Sequence, residues 1–208
     1  MEPNSKLTFG GFLVQSCQMS TAIFNFFKTA SLSKDDNLYV CNSRDQASGR
    51  LTRWSKDFHN FGLPLNEAIL LGSIVGEISN NCFDHNLGQW NDFSGCLVGF
   101  EYQAKSITIY IVDRGQGIIS SLSKATEVTN KKLILSKAFE ERISGRAPEK
   151  RGNGLKFVIQ HIASHDAGLA CYSQGETYFK GTTKLNIDEF KLLPTEFGTL
   201  ILIEWRIK

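Results

Sequence analysis

From Leu65 to Asn86 the apolar residues return at steps of three and four. Ala68, Leu71, Val75, Ile78 and Cys82 form one stripe, which predicts an amphipathic helix with that stripe turned to a core. The same period predicts a short, Phe-rich helix over Ser20–Ala30 (Phe24, Phe26, Phe27). It also predicts longer helices over Gln46–Phe61, closed by Gly62, and Leu155–His165. A long polar region from Ser120 to Arg151 carries one helical pattern, Lys131–Ile143. Between the helices the period drops to two. Cys96–Tyr102 and Ser106–Val112 read as strands joined by a hairpin at Gln103-Ala-Lys105, the second being rich in β-branched residues. Shorter strand patterns lie at Leu38–Cys41, Leu169–Ser173, Thr177–Lys180 and Thr199–Ile207. Leu7–Cys17 is apolar and partly β-like, and a polar break, Ser31–Asn37, follows the first helix. Strands interleaved with about three long helices predict an α+β fold. The form expected is a two-layer α/β sandwich whose mixed, mostly antiparallel sheet is covered on one face.

Length and composition narrow this further. A chain of 208 residues supports one full domain, here residues 37–208, with residues 1–36 as an N-terminal extension used for packing or homodimer contact. Hydrophobic residues make up 41% and charged residues 21%, which excludes a disordered or low-complexity chain. A net charge of +2 gives no general attraction to nucleic acid or an anionic membrane. No apolar run approaches the roughly 20 residues of a membrane span, and Met1-Glu-Pro-Asn-Ser lacks the features of a signal peptide, so a cytoplasmic protein is expected. Five scattered cysteines without a Cys-x-x-Cys pair read as reduced core residues.

Four short segments carry the candidate chemistry. Glu77 and Asn81 stand four apart, so both project from one face of the predicted helix, and His85 extends the line by a turn. A carboxylate beside a carboxamide oxygen can orient water and ligate Mg²⁺, a cation that prefers oxygen ligands; alone, the same pair is more often the solvated face of an amphipathic helix. Asp113-Arg-Gly115-Gln-Gly117-Ile118 closes a strand. Its carboxylate can accept a hydrogen bond from an adenine amino group while the glycines allow close backbone approach; alone, it is equally a turn. Gly152-Asn-Gly154-Leu155 opens a helix, where free N–H groups and the dipole favour phosphate. It matches neither the P-loop nor the dinucleotide fingerprint. Gly198-Thr199 precedes the last strand.

In order and spacing these segments resemble the GHKL superfamily of histidine-kinase-like ATPases, over about residues 38 to 208. The resemblance implies ATP and Mg²⁺ as cofactors, with Asn81 on the metal, Glu77 as the catalytic acid or base, and Asp113 reading adenine. His85, Gly115, Gly117, Ile118, Gly152, Gly154, Leu155 and Thr199 would complete the ATP site. It also implies a lid over about residues 118–151, in which Arg146, Lys150 or Arg151, near Arg142, would meet the γ-phosphate; such a charge run is usually a solvated loop.

Two patterns point elsewhere. His59, five residues before Pro64, imitates a phosphoacceptor box. It lies too close to Glu77 for the two-helix hairpin that carries such a histidine, and Pro64 interrupts any helix through it. His161 and His165 have metal spacing but no third ligand. Asp84 stands where many histidine kinases have Lys, and together with His85 this makes the chain more similar to stand-alone anti-sigma-factor serine kinases. The expected function is transfer of the γ-phosphate to a partner protein or to water in a signalling role. The alternative is an ATP-gated, partner-binding regulatory module with little turnover.

Overall fold

A computed structural model describes residues 18–32, 39–103, 105–123, 126–141, 153–183, 185 and 192–208, of which 18–20 by backbone alone. The chain runs α1 (Gln18–Thr29), β1 (Val40–Cys41), α2 (Arg44–Asn60), α3 (Leu65–Asn86), β2 (Cys96–Gln103), β3 (Ser106–Asp113), α4 (Ile118–Ser123), α5 (Lys131–Glu140), α6 (Gly154–Ser164), β4 (Ala167–Ser173), β5 (Glu176–Gly181) and β6 (Thr199–Arg206). The fold is α+β. The strands form one six-stranded sheet in the order β1-β2-β3-β6-β4-β5, and every pairing in it is antiparallel.

Alternation along the strands divides the core in two. Val98, Ile109, Ile111, Leu169, Ile201 and Ile203 face α2, α3, α5 and α6 in the larger cluster. The stripe expected on α3 (Ala68, Leu71, Val75, Ile78, Cys82) is buried there throughout. Leu97, Tyr110, Val112, Tyr172, Leu200 and Leu202 face the other way, against Ile23, Phe26 and Phe27 of α1. The sequence predicts cover on one face only. The second face is apolar as well, because each strand alternates between two apolar sets, and α1 shields it.

Local chemistry sets the boundaries. Ser43 caps α2, its hydroxyl accepting from the Gln46 N–H at 3.3 Å, and Asn130 caps α5 through the Leu133 N–H at 3.0 Å. Gln174 and Gly175, both at positive φ, make the two-residue turn between β4 and β5. Among its described residues the region 118–151 contains two helices where the sequence predicts one. The extra helix, α4, is a serine-rich six-residue piece too short for a 3.6-residue period to register, yet Ile119 and Leu122 are buried in the main core. The Leu7–Cys17 segment, Cys17, most of the polar break and residues 142–152 lie outside the described residues. The four described cysteines are buried free thiols. Among the described residues no helix is long and apolar enough to cross a membrane.

Candidate functional site

Strand register gathers the separate motifs at one end of the sheet. Cys96 pairs with Asp113, Asp113 with Thr199, and Thr199 with Ser173, so a row of residues crosses from β2 to β4 beneath the C-terminal half of α3. Above this row is a cleft of about 460 Å³, within the size range of small-molecule and cofactor sites. Its walls are apolar where helix meets sheet, with Ile78, Cys82, Ile111, Leu122, Ala138 and Ile201. Glu77, Asn80, Asn81, Asp84, Asn153 and Arg44 form its polar side.

Asp113 stands at the deep end, only 3% exposed. Its Oδ1 accepts from the Gly115 N–H and from Asn86 Nδ2, both at 2.9 Å. Asn86 is buried in turn. It donates to the Cys82 carbonyl at 2.8 Å and accepts from the Gln116 N–H at 3.1 Å, so one carboxamide fixes both the acid and the loop after it. A Cβ on Gly115 would fall on that carboxamide, and only glycine permits the approach. Burial pushes the Asp113 carboxyl up to about 6, against the Gly115, Cys82 and Asn86 hydrogen bonds, which favour the charged form.

Along α3, Glu77, Asn81 and Asp84 share one face and turn toward the cleft. Among the described residues neither Glu77 nor Asn81 has a hydrogen-bond or ion-pair partner. Glu77 Oε2 lies over Gly154 at the start of α6, 2.5 Å from where a Cβ would stand, and a carboxylate suits that positive helix end. Asp84 pairs with Arg44, which reaches in from the first turn of α2. His85 Nδ1 lies 3.0 Å from Ser121 Oγ, and burial lowers the pKa of the imidazole.

The glycine loops are held from below. The Ser173 hydroxyl accepts from the Ile118 N–H at 3.0 Å and donates to the Gly198 carbonyl at 3.1 Å, joining two motifs far apart in sequence. Gln174 accepts from the Ser120 N–H at 2.8 Å and lies under Gly117. Gly198 has φ +79°, and a Cβ there would come 2.7 Å from the Phe27 ring of α1. Arg114 is 4% exposed. It donates to Asp92 (Nε–Oδ1 2.7 Å) and to the Phe26 and Phe27 carbonyls, and its guanidinium lies over the Phe197 ring at 4.7 Å. These bonds hold Asp92 below the usual carboxylate range.

Nine of the residues singled out from sequence line the cleft: Glu77, Asn81, His85, Asp113, Gly117, Ile118, Gly154, Leu155 and Thr199. Gly115 lies just beneath it, against Asn86. Arg146, Lys150, Arg151 and Gly152 lie outside the described residues. The two distracting histidine patterns are structural. His59 Nδ1 bonds the Leu63 carbonyl at 2.8 Å, while His165 contacts the His161 carbonyl and packs on the Trp205 ring. Asn86, Arg114, Ser173 and Gln174 were not read from the sequence. Asn86 directly follows His85 and Arg114 sits inside the Asp-x-Gly motif, but nothing in a linear pattern shows that they brace it.

No protein-family model matches the chain, and no curated protein is significantly similar to it. Among solved structures, the crystal structure of the SiaB-SiaC complex from Pseudomonas aeruginosa is similar at 13% identity and a TM-score of 0.40, over 78% of this chain and 84% of that one. A likeness that loose carries no argument about function.

Proposed function

We propose that the cleft binds Mg-ATP in the manner of the GHKL superfamily, and that the chain transfers the γ-phosphate to a partner protein or to water. The observation that carries this reading is the convergence of Glu77, Asn81, Asp113, Gly117, Gly154 and Thr199 on one cleft from four elements and the loop before α4. Asp113 suits the base: Oδ1 takes the Asn86 and Gly115 bonds, leaving Oδ2 as the acceptor for an adenine amino group between apolar walls. Asn81 and Glu77 suit the phosphate end. A carboxamide and a carboxylate one turn apart, without partners among the described residues, present the oxygen donors that Mg²⁺ takes, so Asn81 would hold the ion and Glu77 would orient the acceptor hydroxyl or water. Bound Mg²⁺ would supply charge neutralisation on the phosphates. The chain's own contribution is positioning, since phosphoryl transfer asks little covalent chemistry of the protein.

A second reading, an ATP-gated partner-binding module with little turnover, is favoured by one contact. Arg114 ties the Asp113 loop to the C-terminal carbonyls of α1, so a change in that loop would be felt on the far face of the sheet. Titration calorimetry with ATP, with and without Mg²⁺, tests the shared claim. Asp113→Asn should weaken binding in both conditions, and Asn81→Ala mainly with Mg²⁺. Retention of full Mg-ATP affinity by both variants would overturn the site. The fate of γ-labelled phosphate then separates the readings: label on protein or free in solution supports transfer, and label left on ATP supports the module.

A further inference from the structure

The cleft has a charge problem as a polyphosphate site. Glu77, Asp84 and Asp113 all line it, and among the described lining residues Arg44 is the one lysine or arginine. Arg44 comes from α2, a helix that the sequence motifs do not touch, and meets Asp84 on α3. Seen down α3, Glu77, Asn81 and Asp84 occupy one side, whereas Cys82 and Asn86 turn toward Asp113. Arg44 therefore stands at the outer rim, about one helical turn from Asn81 and away from the deep acid.

We propose that Arg44 binds the phosphate chain of the nucleotide, and that Asp84 holds its guanidinium at the rim until the more highly charged phosphate competes for it. This rests on the nucleotide reading above. The position of Arg44 is not explained by the stability of α2: a cation in the first turn opposes the helix dipole. The Arg44 side chain is 51% exposed and so within reach of a ligand, whereas Asp84 is 14% exposed, so only a more highly charged, bidentate acceptor such as phosphate can draw the guanidinium away from it. A guanidinium also presents two parallel donors to phosphate oxygens, which a lysine does not. Asp84 then has a second effect. Once released it repels a phosphate chain, so the pair tunes affinity in both directions.

The test compares Arg44→Gln and Asp84→Asn with the wild type for binding of ATP, ADP and adenosine in Mg²⁺, with adenosine read by NMR titration to reach millimolar affinities. Arg44→Gln should weaken ATP by ~10-fold or more and adenosine by less than about twofold, as expected for loss of a charge-assisted phosphate contact. Asp84→Asn should tighten ATP severalfold and leave adenosine unchanged. Equal affinities of Arg44→Gln and wild type for ATP, or equal losses for ATP and adenosine in a folded variant, would overturn the role of Arg44 alone. Wild-type protein that binds none of the three ligands would overturn the nucleotide reading itself. Adenosine binding also reports folding. If Arg44→Gln loses it, Asp84→Asn decides, and an unchanged ATP affinity there would overturn the proposal.

Discussion

At the scale of single residues the site turns on Asp113 and the side chain that holds it. The folded-state carboxyl titrates near 6 and the unfolded one near about 3.9, so between those values the folded protein holds the extra proton. Stability from this group is then full below about pH 4 and is lost as pH rises to 6, a change of about 2–3 kcal/mol. Asp113→Asn removes that loss, so its stability relative to wild type should improve between pH 4 and 7 in urea melts; a constant difference would contradict the burial argument. Asn86→Ala should cost about 1–3 kcal/mol, because it takes one of its donors from a buried acid and leaves the Gln116 N–H without its acceptor, and it should weaken ATP with no direct contact to it. Asp113 was legible because a strand, an acid and two glycines follow in order. Asn86 was not. Its task appears only when the α3 C-terminus lies over the end of β3, a contact between residues far apart in sequence.

At the scale of elements, α1 works as the brace on the reverse side of the sheet. Ile23, Phe26 and Phe27 are fully buried against β2, β3, β4 and β6, and Phe27 lies under Gly198 while Arg114 grips the helix end. Phe27→Ala should cost about 3–5 kcal/mol and weaken ATP as the Gly198-Thr199 turn settles into the gap. Phe24→Ala, at a partly buried position of the same helix, should cost clearly less. Chemical denaturation of the two variants ranks them, and equal effects would mean that α1 is peripheral. The sequence showed this helix as Phe-rich and amphipathic but not where it docks, because an apolar stripe names no partner. The α3 boundaries, by contrast, were legible to the residue: Pro64 stands at the N-cap, and the apolar stripe from Ala68 to Cys82 ends one turn before Asn86.

For the whole molecule, the order of strands and helices follows from alternating periods of 2 and 3.6, and most elements lie within one or two residues of their patterns. What the pattern could not supply was the sheet order. β6, last in the chain, inserts between β3 and β4, and that insertion brings Thr199 beside Asp113 and Ser173. Four motifs spread over more than half the chain meet because of that one strand. The central claim is that they meet around Mg-ATP, and thermal melting reads it on the intact protein. At 100 times its dissociation constant, Mg-ATP should add about 2.7 kcal/mol, an upward shift of about 5–11 °C for a chain of this size, with Asp113→Asn shifting less. A wild-type melting temperature unchanged by millimolar Mg-ATP would contradict it.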